Sequence, residues 1–522
     1  NKLIMKNIDY IKQAALLLIF IITGLHSFSQ KMVLGSGARI VVSAGTTVIN
    51  PGDLTINSGA ILELTGNMTV IGTLTNSAGT SGLVIKSSSG ATGSLIQSTD
   101  AVNGSVERYI ADNAWHLVTP STTGVTANNF YWSDSPKSWL TYHTESTNEW
   151  TYNISLATSM PVGQGWAVWL DDATKSNATA TMTGALRSSN LSPTVTYTDA
   201  SHGYNLVGNP FTAAIDWESG TWARTNMELT MWVWNNGTNN YLTRTTGGGG
   251  TKTNGIIPVS QGFFVRSSGS SPVLTIPADA RTHNTQALYK SGDQVNGYEA
   301  YAILTASKDE NADGVWVGFG SNGSEGFDNG YDASKLFGGV ESPQLYLTQE
   351  GREQSINYLY SLEEAEKVVP MSFKAGADGE QILSADLEKL PGTAVSIEDL
   401  QTGLFQDLVK YPVYLFSASK EDDPNRFLLH FKSTIFGFDE PGSSSENIYI
   451  YAYGKNIYVR STGKAFNLYG TLEIFDIYGR EIKRQQLDKS EMVVVPVHTQ
   501  NNYLIVRVIK GDLIKTRKVF IN

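Results

Sequence analysis

One short stretch of the sequence has the ligand spacing of a calcium loop. Asp309, Asn311 and Asp313 alternate in DENADG, and Gly314 would permit the sharp turn that such a loop needs. The bidentate glutamate expected at the twelfth loop position is missing, since that position is Gly320. The stretch also lies between two predicted strands. The sequence therefore favours a polar hairpin turn, with a structural calcium ion as the alternative and no other cofactor.

A second pattern could bind sugars, because pyranose C–H faces stack on indole rings while hydroxyls need polar partners. Ten of the eleven tryptophans lie between Trp115 and Trp234. Those in irregular, polar stretches are the predicted glycan contacts: Trp132, Trp139, Trp150, Trp217 and Trp222. Those that alternate within predicted strands are expected in the core: Trp166, Trp169, Trp232 and Trp234.

Catalysis has little support in the sequence. Neither an H-E-x-x-H nor a G-x-S-x-G motif is present. Asp216 and Glu218 flank Trp217, and alternate positions on a strand would place both carboxylates on one face, as a glycosidase pair requires. A solvent-facing turn explains them better. We predict a protein that is not an enzyme, with a polysaccharide hydrolase or lyase as the third hypothesis.

The elements that carry these residues are predicted to be strands throughout. Only 17% of the 522 residues are charged, Gly is abundant and Cys is absent, which is typical of an extracellular all-β protein without disulfides. The net charge of −11 argues against nucleic acid or an anionic membrane as a partner. Residues 445–522 carry about +5 of their own, which indicates a separate module.

Residues 1–29 are predicted to be a secretory signal peptide, with a signal anchor as the alternative. Lys6 and Lys12 precede the apolar run AALLLIFIITGL. No later apolar run is long enough to span a membrane. We therefore expect a secreted or outer-membrane surface protein that does not itself cross the membrane.

Two kinds of internal repeat follow. In residues 30–105, Gly37-Ala38 aligns with Gly59-Ala60, and Thr47-Val48 aligns with Thr69-Val70, both at an offset of 22. This period predicts a short β-solenoid, and a plain β-sandwich is the alternative. So short a solenoid is expected to need packing against the next domain for stability.

Residues 106–285 form a duplicated antiparallel β-unit, with copies at about 106–200 and 201–285. WHLVTPS matches YNLVGNPF, and MPVGQGWAVWL matches IPVSQGFFVRS. The recurring Gln-Gly-aromatic motif is expected to be structural, because glycine allows close approach of strands.

The remaining chain divides into three predicted parts. Residues 286–438 are a predicted β-sandwich, 439–446 a linker, and 447–522 a compact sandwich of seven strands.

The final part resembles a known family. LEIFDIYGREI and the terminal NYLIVRVIKGDLIKTRKVFIN resemble the C-terminal sorting domain (Por secretion tail family) of type IX secretion system cargo from Bacteroidetes. The matching residues are Asp476, Gly479, Arg480, Tyr503, Arg507, Lys515 and Lys518. Asn501 replaces a glycine of the pattern, and one extra residue between Tyr503 and Arg507 suggests a bulge.

This resemblance implies export by the type IX machinery, with the C-terminal domain as the recognised partner surface. The central region resembles the adhesin-like β-rich ectodomains that often precede such tails. The leading hypothesis is a structural, adhesin-like surface protein. A carbohydrate-binding surface protein that uses exposed tryptophans is the alternative, and glycans or matrix proteins are the expected further partners.

Overall fold

The computed structural model describes the chain from residue 31 onward with several gaps. The described ranges are 31–111, 113–131, 138–152, 154–170, 179–284, 298–362, 366–433, 447–453, 455–462, 468–490, 492–498, 502–511 and 513–521. The predicted signal peptide, Trp132 and the predicted linker lie outside them. Within these ranges, 42 strands and two short 3₁₀ turns are present, and the all-β prediction is confirmed. No described helix is long and apolar enough to cross a membrane.

The chain begins with nine short strands wound around one axis. They are β1 (Met32–Leu34), β2 (Arg39–Val42), β3 (Thr47–Asn50), β4 (Leu54–Ile56), β5 (Ile61–Leu64), β6 (Asn67–Val70), β7 (Leu74–Asn76), β8 (Leu83–Ile85) and β9 (Ser94–Gln97). Every third strand pairs in parallel, which makes a three-sided solenoid. Its axis is filled by side chains such as Leu54, Leu62 and Leu74, each at most 1% exposed. Stacking of equivalent apolar positions closes this core.

The predicted repeat offset holds on one side of the solenoid and fails on another. Arg39 pairs with Ile61, at the predicted offset of 22. Thr47 pairs with Asn67 rather than with Thr69, an offset of 20. The reason is a shorter turn: four residues, 43–46, separate β2 from β3, whereas two residues separate β5 from β6. Gly66 fits this tight turn, since a Cβ there would lie 2.1 Å from the Ser43 carbonyl oxygen.

The first copy of the duplication is continuous with the solenoid. Its elements are β10 (Asn103–Tyr109), β11 (Ala114–Val118), a 3₁₀ turn (Ala127–Phe130), β12 (Ser138–Thr144), β13 (Glu149–Thr151), β14 (Trp166–Leu170) and β15 (Thr179–Ala185). β10 pairs in parallel with β8 and antiparallel with β15, so the solenoid sheet extends into the copy. Leu95 of the solenoid and Trp166 of the copy belong to one buried cluster. The short solenoid therefore shares its core with the next unit.

The second copy has more and shorter strands. They are β16 (Tyr204–Gly208), β17 (Ala214–Asp216), β18 (Ala223–Thr225), β19 (Met227–Asn235), β20 (Asn240–Thr245), β21 (Ile256–Ile257), β22 (Gly262–Ser267), β23 (Val273–Thr275) and β24 (Arg281–Thr282), with a 3₁₀ turn at Ala278–Ala280. Its main sheet has the order β16-β22-β19-β20, and that of the first copy is β11-β14-β12-β13. Strands that match in sequence thus occupy matching places in the two sheets.

The third unit is one rolled sheet rather than two separate ones. Its strands are β25 (Ala300–Lys308), β26 (Asn311–Gly320), β27 (Ala333–Ser334), β28 (Gln344–Gln349), β29 (Arg352–Tyr360), β30 (Lys367–Lys374), β31 (Gly379–Asp386), β32 (Thr393–Asp399), β33 (Leu404–Asp407), β34 (Val413–Ala418) and β35 (Phe427–Ser433). The sheet runs from β33 to β34, and these end strands meet where Gln406 Nε2 donates to the Val413 carbonyl at 2.8 Å. The two halves of the sheet face each other across one core, as the halves of a sandwich would.

The C-terminal unit is the predicted sandwich of seven strands. They are β36 (Asn447–Tyr453), β37 (Asn456–Thr462), β38 (Leu468–Asp476), β39 (Glu481–Ser490), β40 (Met492–Pro496), β41 (Asn502–Lys510) and β42 (Leu513–Ile521). They form a three-stranded and a four-stranded sheet around their own core, which includes Ile450, Leu472 and Val506. β41 pairs with both neighbours without a register shift, so the bulge suggested between Tyr503 and Arg507 is not present.

Candidate functional site

The two copies meet through reciprocal backbone contacts. Val118 forms a bridge with Gln261, and its counterpart Val207 forms one with Gln164. The two bridges are equivalent, with the roles of the copies exchanged, so a pseudo-twofold axis relates the two copies at the junction. Glycine is required here: a Cβ on Gly165 would lie 2.6 Å from Leu206 Cγ. The Gln-Gly motif therefore joins the copies, and the aromatic residue that follows it fills the core of each copy.

A cleft lies across this axis, between the outer faces of the two main sheets and the third unit. Trp150 and its counterpart Tyr241 line both halves of the cleft, together with Phe337 of the third unit. The smaller half has a volume of about 250 Å³ and is lined by Trp115, Tyr152, Trp234 and Asn239, among others. The larger half, of about 1020 Å³, has Tyr204, His143 and Asn148 at the positions of Trp115, Trp234 and Asn239. We call the two halves together the aromatic cleft.

The rings of the aromatic cleft repeat their geometry across the axis. His143 and Trp150 meet edge to face at 5.5 Å, and their counterparts Trp234 and Tyr241 do so at 5.1 Å, both at 72°. Burial lowers the pKa of His143. His143 is therefore neutral near pH 7, and its uncharged imidazole ring lines the aromatic cleft beside Trp150.

Asparagine ends the same hairpin in both copies. Asn148 and Asn239 have φ of 54° and 52°, in the left-handed region that asparagine tolerates. Their side-chain amides therefore stand at matching points, one at each half of the cleft. Side-chain amides both donate and accept hydrogen bonds, which suits a ligand rich in hydroxyl groups.

The outer face of the second copy is covered by the third unit. Tyr204 lies opposite Arg266 in the sheet, and its hydroxyl donates to the Lys335 carbonyl at 2.8 Å. Arg266 Nη1 contacts Glu228 Oε1 at 2.5 Å, and Glu228 also accepts from Ser334 Oγ at 2.7 Å. Burial raises the pKa of the Tyr204 hydroxyl. The third unit therefore contacts this face directly, and the larger half of the cleft lies beside these contacts.

The same face of the first copy carries tryptophan and remains partly open. Trp115 and Trp169 stand at the positions of Tyr204 and Arg266, and Trp139 extends the row on the next strand. Trp115 and Trp169 pack edge to face at 5.7 Å and are half-buried. Trp139 is 50% exposed, and Tyr152, at the edge of the cleft, is 56% exposed.

The predicted glycan contacts separate into two groups. Trp139 and Trp150 lie on the open face and in the cleft, whereas the expectation of exposure is wrong for Trp217, which is 1% exposed. Trp217 packs on Trp222 at 4.9 Å, and the Arg224 guanidinium covers both rings. Their surroundings look irregular in sequence because the strands there are only three residues long.

Sequence reasoning missed three tryptophans of the open face and cleft: Trp115, Trp169 and Trp234. The alternation of Trp169 and Trp234 within their strands predicts that both lie in the core, whereas both are half-buried. Alternation assigns side chains to opposite faces of a sheet, but it does not say which face another unit covers. Trp166 and Trp232 are the core residues, at 1% and 0% exposure.

The residues proposed for calcium lie in a hairpin and do not converge. Asp309 is in the two-residue turn between β25 and β26. Asp313 is buried, forms an ion pair with Lys335, and accepts a hydrogen bond from the Leu345 amide at 2.6 Å. Asn311 donates to the Glu341 carbonyl. In the part of the chain that the structure describes, no group of three or more His, Cys, Asp or Glu could hold a metal ion.

The sorting motif forms a closed turn at the end of β38. Asp476 Oδ1 accepts from the amides of Tyr478 and Arg480 at 2.9 Å each. The Arg480 side chain returns to Asp476 Oδ2 at 2.6 Å. Gly479 has φ of 81°, which explains why glycine stands there. These bonds, the Arg480 amide first, hold the pKa of Asp476 below its usual value.

The other residues of the motif lie on the neighbouring strands. Arg507 Nε contacts the buried Glu473 carboxylate at 2.6 Å. Lys518 Nζ lies 4.0 Å from the centroid of the Tyr503 ring. Lys515 is exposed on β42. The motif thus combines one rigid turn with an outward-facing basic and aromatic surface.

These features define a modular all-β protein: a solenoid, a duplicated β-unit with an aromatic cleft, a rolled sheet and a separate basic sandwich. The chain belongs to the family of the Domain of unknown function DUF8693, whose profile matches residues 28–431. That match covers the solenoid, both copies and nearly all of the rolled sheet.

A curated relative comes from Porphyromonas gingivalis. The chain is 26% identical over 257 residues to its minor fimbrium subunit Mfa5. The matched region is 44% of this chain and 21% of the relative. The chain therefore spans about a fifth of the length of that protein.

Proposed function

We propose that this protein is a structural, adhesin-like component of a bacterial cell surface that is exported by the type IX secretion system and has no catalytic activity. The similarity to a fimbrial subunit supports the surface role. The observation that carries the export route is the closed Asp476–Arg480 turn on a basic sandwich with its own core. Such a module can be read by a receptor while folded.

Charge separates this module from the cargo that it would deliver. Residues 445–522 carry about +5, whereas the chain as a whole carries −11. A basic, ordered surface offers the export machinery a target that the acidic cargo lacks. Further partners are glycans or matrix proteins, and an acidic chain is not suited to bind nucleic acid.

Deletion of residues 447–522 tests the export route. We expect the deleted protein to disappear from the cell surface and the medium and to accumulate in the periplasm, as measured by fractionation and surface labelling. Unchanged surface delivery would reject the proposal.

A finer test separates the turn from the module as a whole. Asp476→Ala should lower surface delivery because the turn loses the carboxylate that accepts hydrogen bonds from the Tyr478 and Arg480 amides. Asp488→Ala, an exposed carboxylate in the same pair of strands, is the matched control. Equal delivery of the two variants would show that the turn is not read.

A non-enzymatic role agrees with the surroundings of the one carboxylate pair that the sequence suggests. Glu218 Oε1 contacts Arg244 Nε at 2.5 Å, and Asp216 Oδ1 accepts from the Glu218 amide at 3.0 Å. Both carboxylates are therefore engaged within the chain. A screen of soluble polysaccharides should show no cleavage, and turnover that is lost in Glu218→Gln would reverse this view in favour of a hydrolase or lyase.

A further inference from the structure

We propose that the aromatic cleft is a binding site for a linear pyranose oligosaccharide. The inference deepens the adhesin-like role and depends on it only for its biological setting. It does not depend on the export route. Its basis is the pairing of two equivalent sheet faces along one cleft, one held by contacts with the third unit and one that carries half-exposed tryptophans.

The first step is the internal comparison between the copies. Tyr204 and Arg266 of the second copy are held by Lys335 and Glu228. At the equivalent positions, the first copy carries Trp115 and Trp169. These large rings do not make the polar contacts that Tyr204 and Arg266 make in the second copy. A row of half-exposed indoles lowers the solubility of a protein, and such exposed apolar patches mark surfaces that contact a partner or a ligand. The open face is therefore the better place for an external ligand.

The second step is the chemistry of the lining. The rings of Trp115, Trp150 and Tyr241 offer apolar surface, and the amides of Asn148 and Asn239 offer polar groups at matching points. Asn148 Oδ1 lies 3.2 Å from His143 Nε2, which leaves its NH₂ group as a donor. Carbohydrate combines apolar C–H faces with hydroxyl rims, so it meets both requirements. A lipid tail does not, because the rim of the larger half also carries charged side chains, including Arg352 and Lys374.

The third step is size and symmetry. A volume of about 1020 Å³ for the larger half is at the upper end of the range of about 300–1000 Å³ for ligand sites. The two halves share Trp150 and Tyr241 and repeat the same ring geometry. A polymer that repeats its own unit can place chemically similar residues in both halves, whereas a single compact metabolite cannot.

The experiment uses residues 31–522 and a panel of soluble polysaccharides. The panel contains laminarin, xylan, mannan, pectin and hyaluronan, and a proline-rich peptide is the competing class. Titration followed by tryptophan fluorescence and calorimetry should show saturable binding to at least one polysaccharide. No saturable binding to any of them, or binding to the peptide alone, would overturn the proposal.

Substitutions then place the site. Tyr152→Ala and Trp115→Ala should each weaken binding about tenfold, the loss of about one ring contact. Tyr411→Ala is the matched control, because Tyr411 is also 56% exposed but lies in the loop between β33 and β34, in the third unit. Affinity that survives both cleft substitutions would overturn the site.

Footprinting on the unaltered protein guards against misfolded variants. Bound polysaccharide should protect Tyr152 and Trp115 from hydroxyl-radical oxidation and leave Tyr411 unprotected. Equal oxidation of Tyr152 with and without ligand would contradict the proposal. Since this assay needs no secretion, its failure is distinguishable from a failure of type IX export.

Discussion

The two copies of the duplicated unit share one strand order and use the same sheet face in opposite ways. In the second copy, Glu228 and Arg266 lie beneath the third unit and are joined to Ser334 and Arg352. In the first copy the corresponding face carries tryptophan and is partly open. The two copies thus share their inner packing, whereas the outer positions differ: one face contacts the third unit and the other carries partly exposed aromatic rings. The difference teaches that equivalent positions in a repeat need not share a role.

The largest expected effect is at the closed face. Glu228 is 1% exposed and lies within 2.5 Å of Arg266 and 3.2 Å of Arg352. Glu228→Ala leaves Arg266 buried without its carboxylate, so we expect a loss of about 3–5 kcal/mol in the free energy of unfolding. Chemical denaturation measures this loss. Glu149→Ala, at an exposed position of the first copy, should cost close to nothing, and equal losses would break the comparison.

A loss of folding stability at acidic pH is expected to arise in the first copy, from His116. Burial, with Arg108 nearby, lowers the pKa of His116 from 6.5 to about 4, and Asn205 occupies the same position in the second copy. Between these pH values the unfolded chain binds more protons than the fold. Stability is therefore present above pH 6.5 and is lost as pH falls toward 4, by about 3 kcal/mol.

His116→Asn copies the residue of the second copy and removes this titration. Thermal unfolding between pH 7 and pH 4 should show a flatter pH profile for the variant than for the unaltered protein. Parallel profiles would show that His116 is not the source of the acid sensitivity.

The two equivalent glycines at the junction between the copies, Gly165 and Gly262, should differ in how well they tolerate substitution by alanine. A Cβ on Gly165 would lie 2.6 Å from Leu206 Cγ and 2.7 Å from the Val207 carbonyl oxygen, whereas one on Gly262 would lie 3.0 Å from the nearest atom. Gly165→Ala should cost about 1–3 kcal/mol and Gly262→Ala less. Gly35→Ala, with open space around its Cβ, is the control for denaturation. A larger loss at Gly262 would reverse the predicted order.

The smallest effect is expected on the open face. Trp169 is half-buried and packs on Trp115 at 5.7 Å. Trp169→Ala should lower the free energy of unfolding by about 1–2 kcal/mol, because one aromatic pair and the buried part of the indole are lost. If calorimetry shows a loss as large as that of Glu228→Ala, the first-copy face is a packed interface, and the contrast between the copies disappears.

Much of the fold could be predicted because its signals are local. Alternating apolar residues and turn residues indicate strands, and the matched blocks indicate the duplication. The Asp476–Arg480 turn could also be anticipated, since all its bonds lie within five residues. The solenoid register was only partly predictable, because the two-residue shortening at Gly66 changes the pairing without changing the strand pattern.

The sequence by itself determined the all-β class, the duplication and the basic C-terminal sandwich, because periodicity, repeats and charge are properties of neighbouring residues. Only the tertiary structure decided which tryptophans line a cleft. Whether a side chain is buried depends on what covers its face, and the cover comes from far along the chain. The partner of Tyr204, for example, is 131 residues away. The exposure of Trp139 and the burial of Trp217 were therefore set by the packing of units rather than by the residues around them.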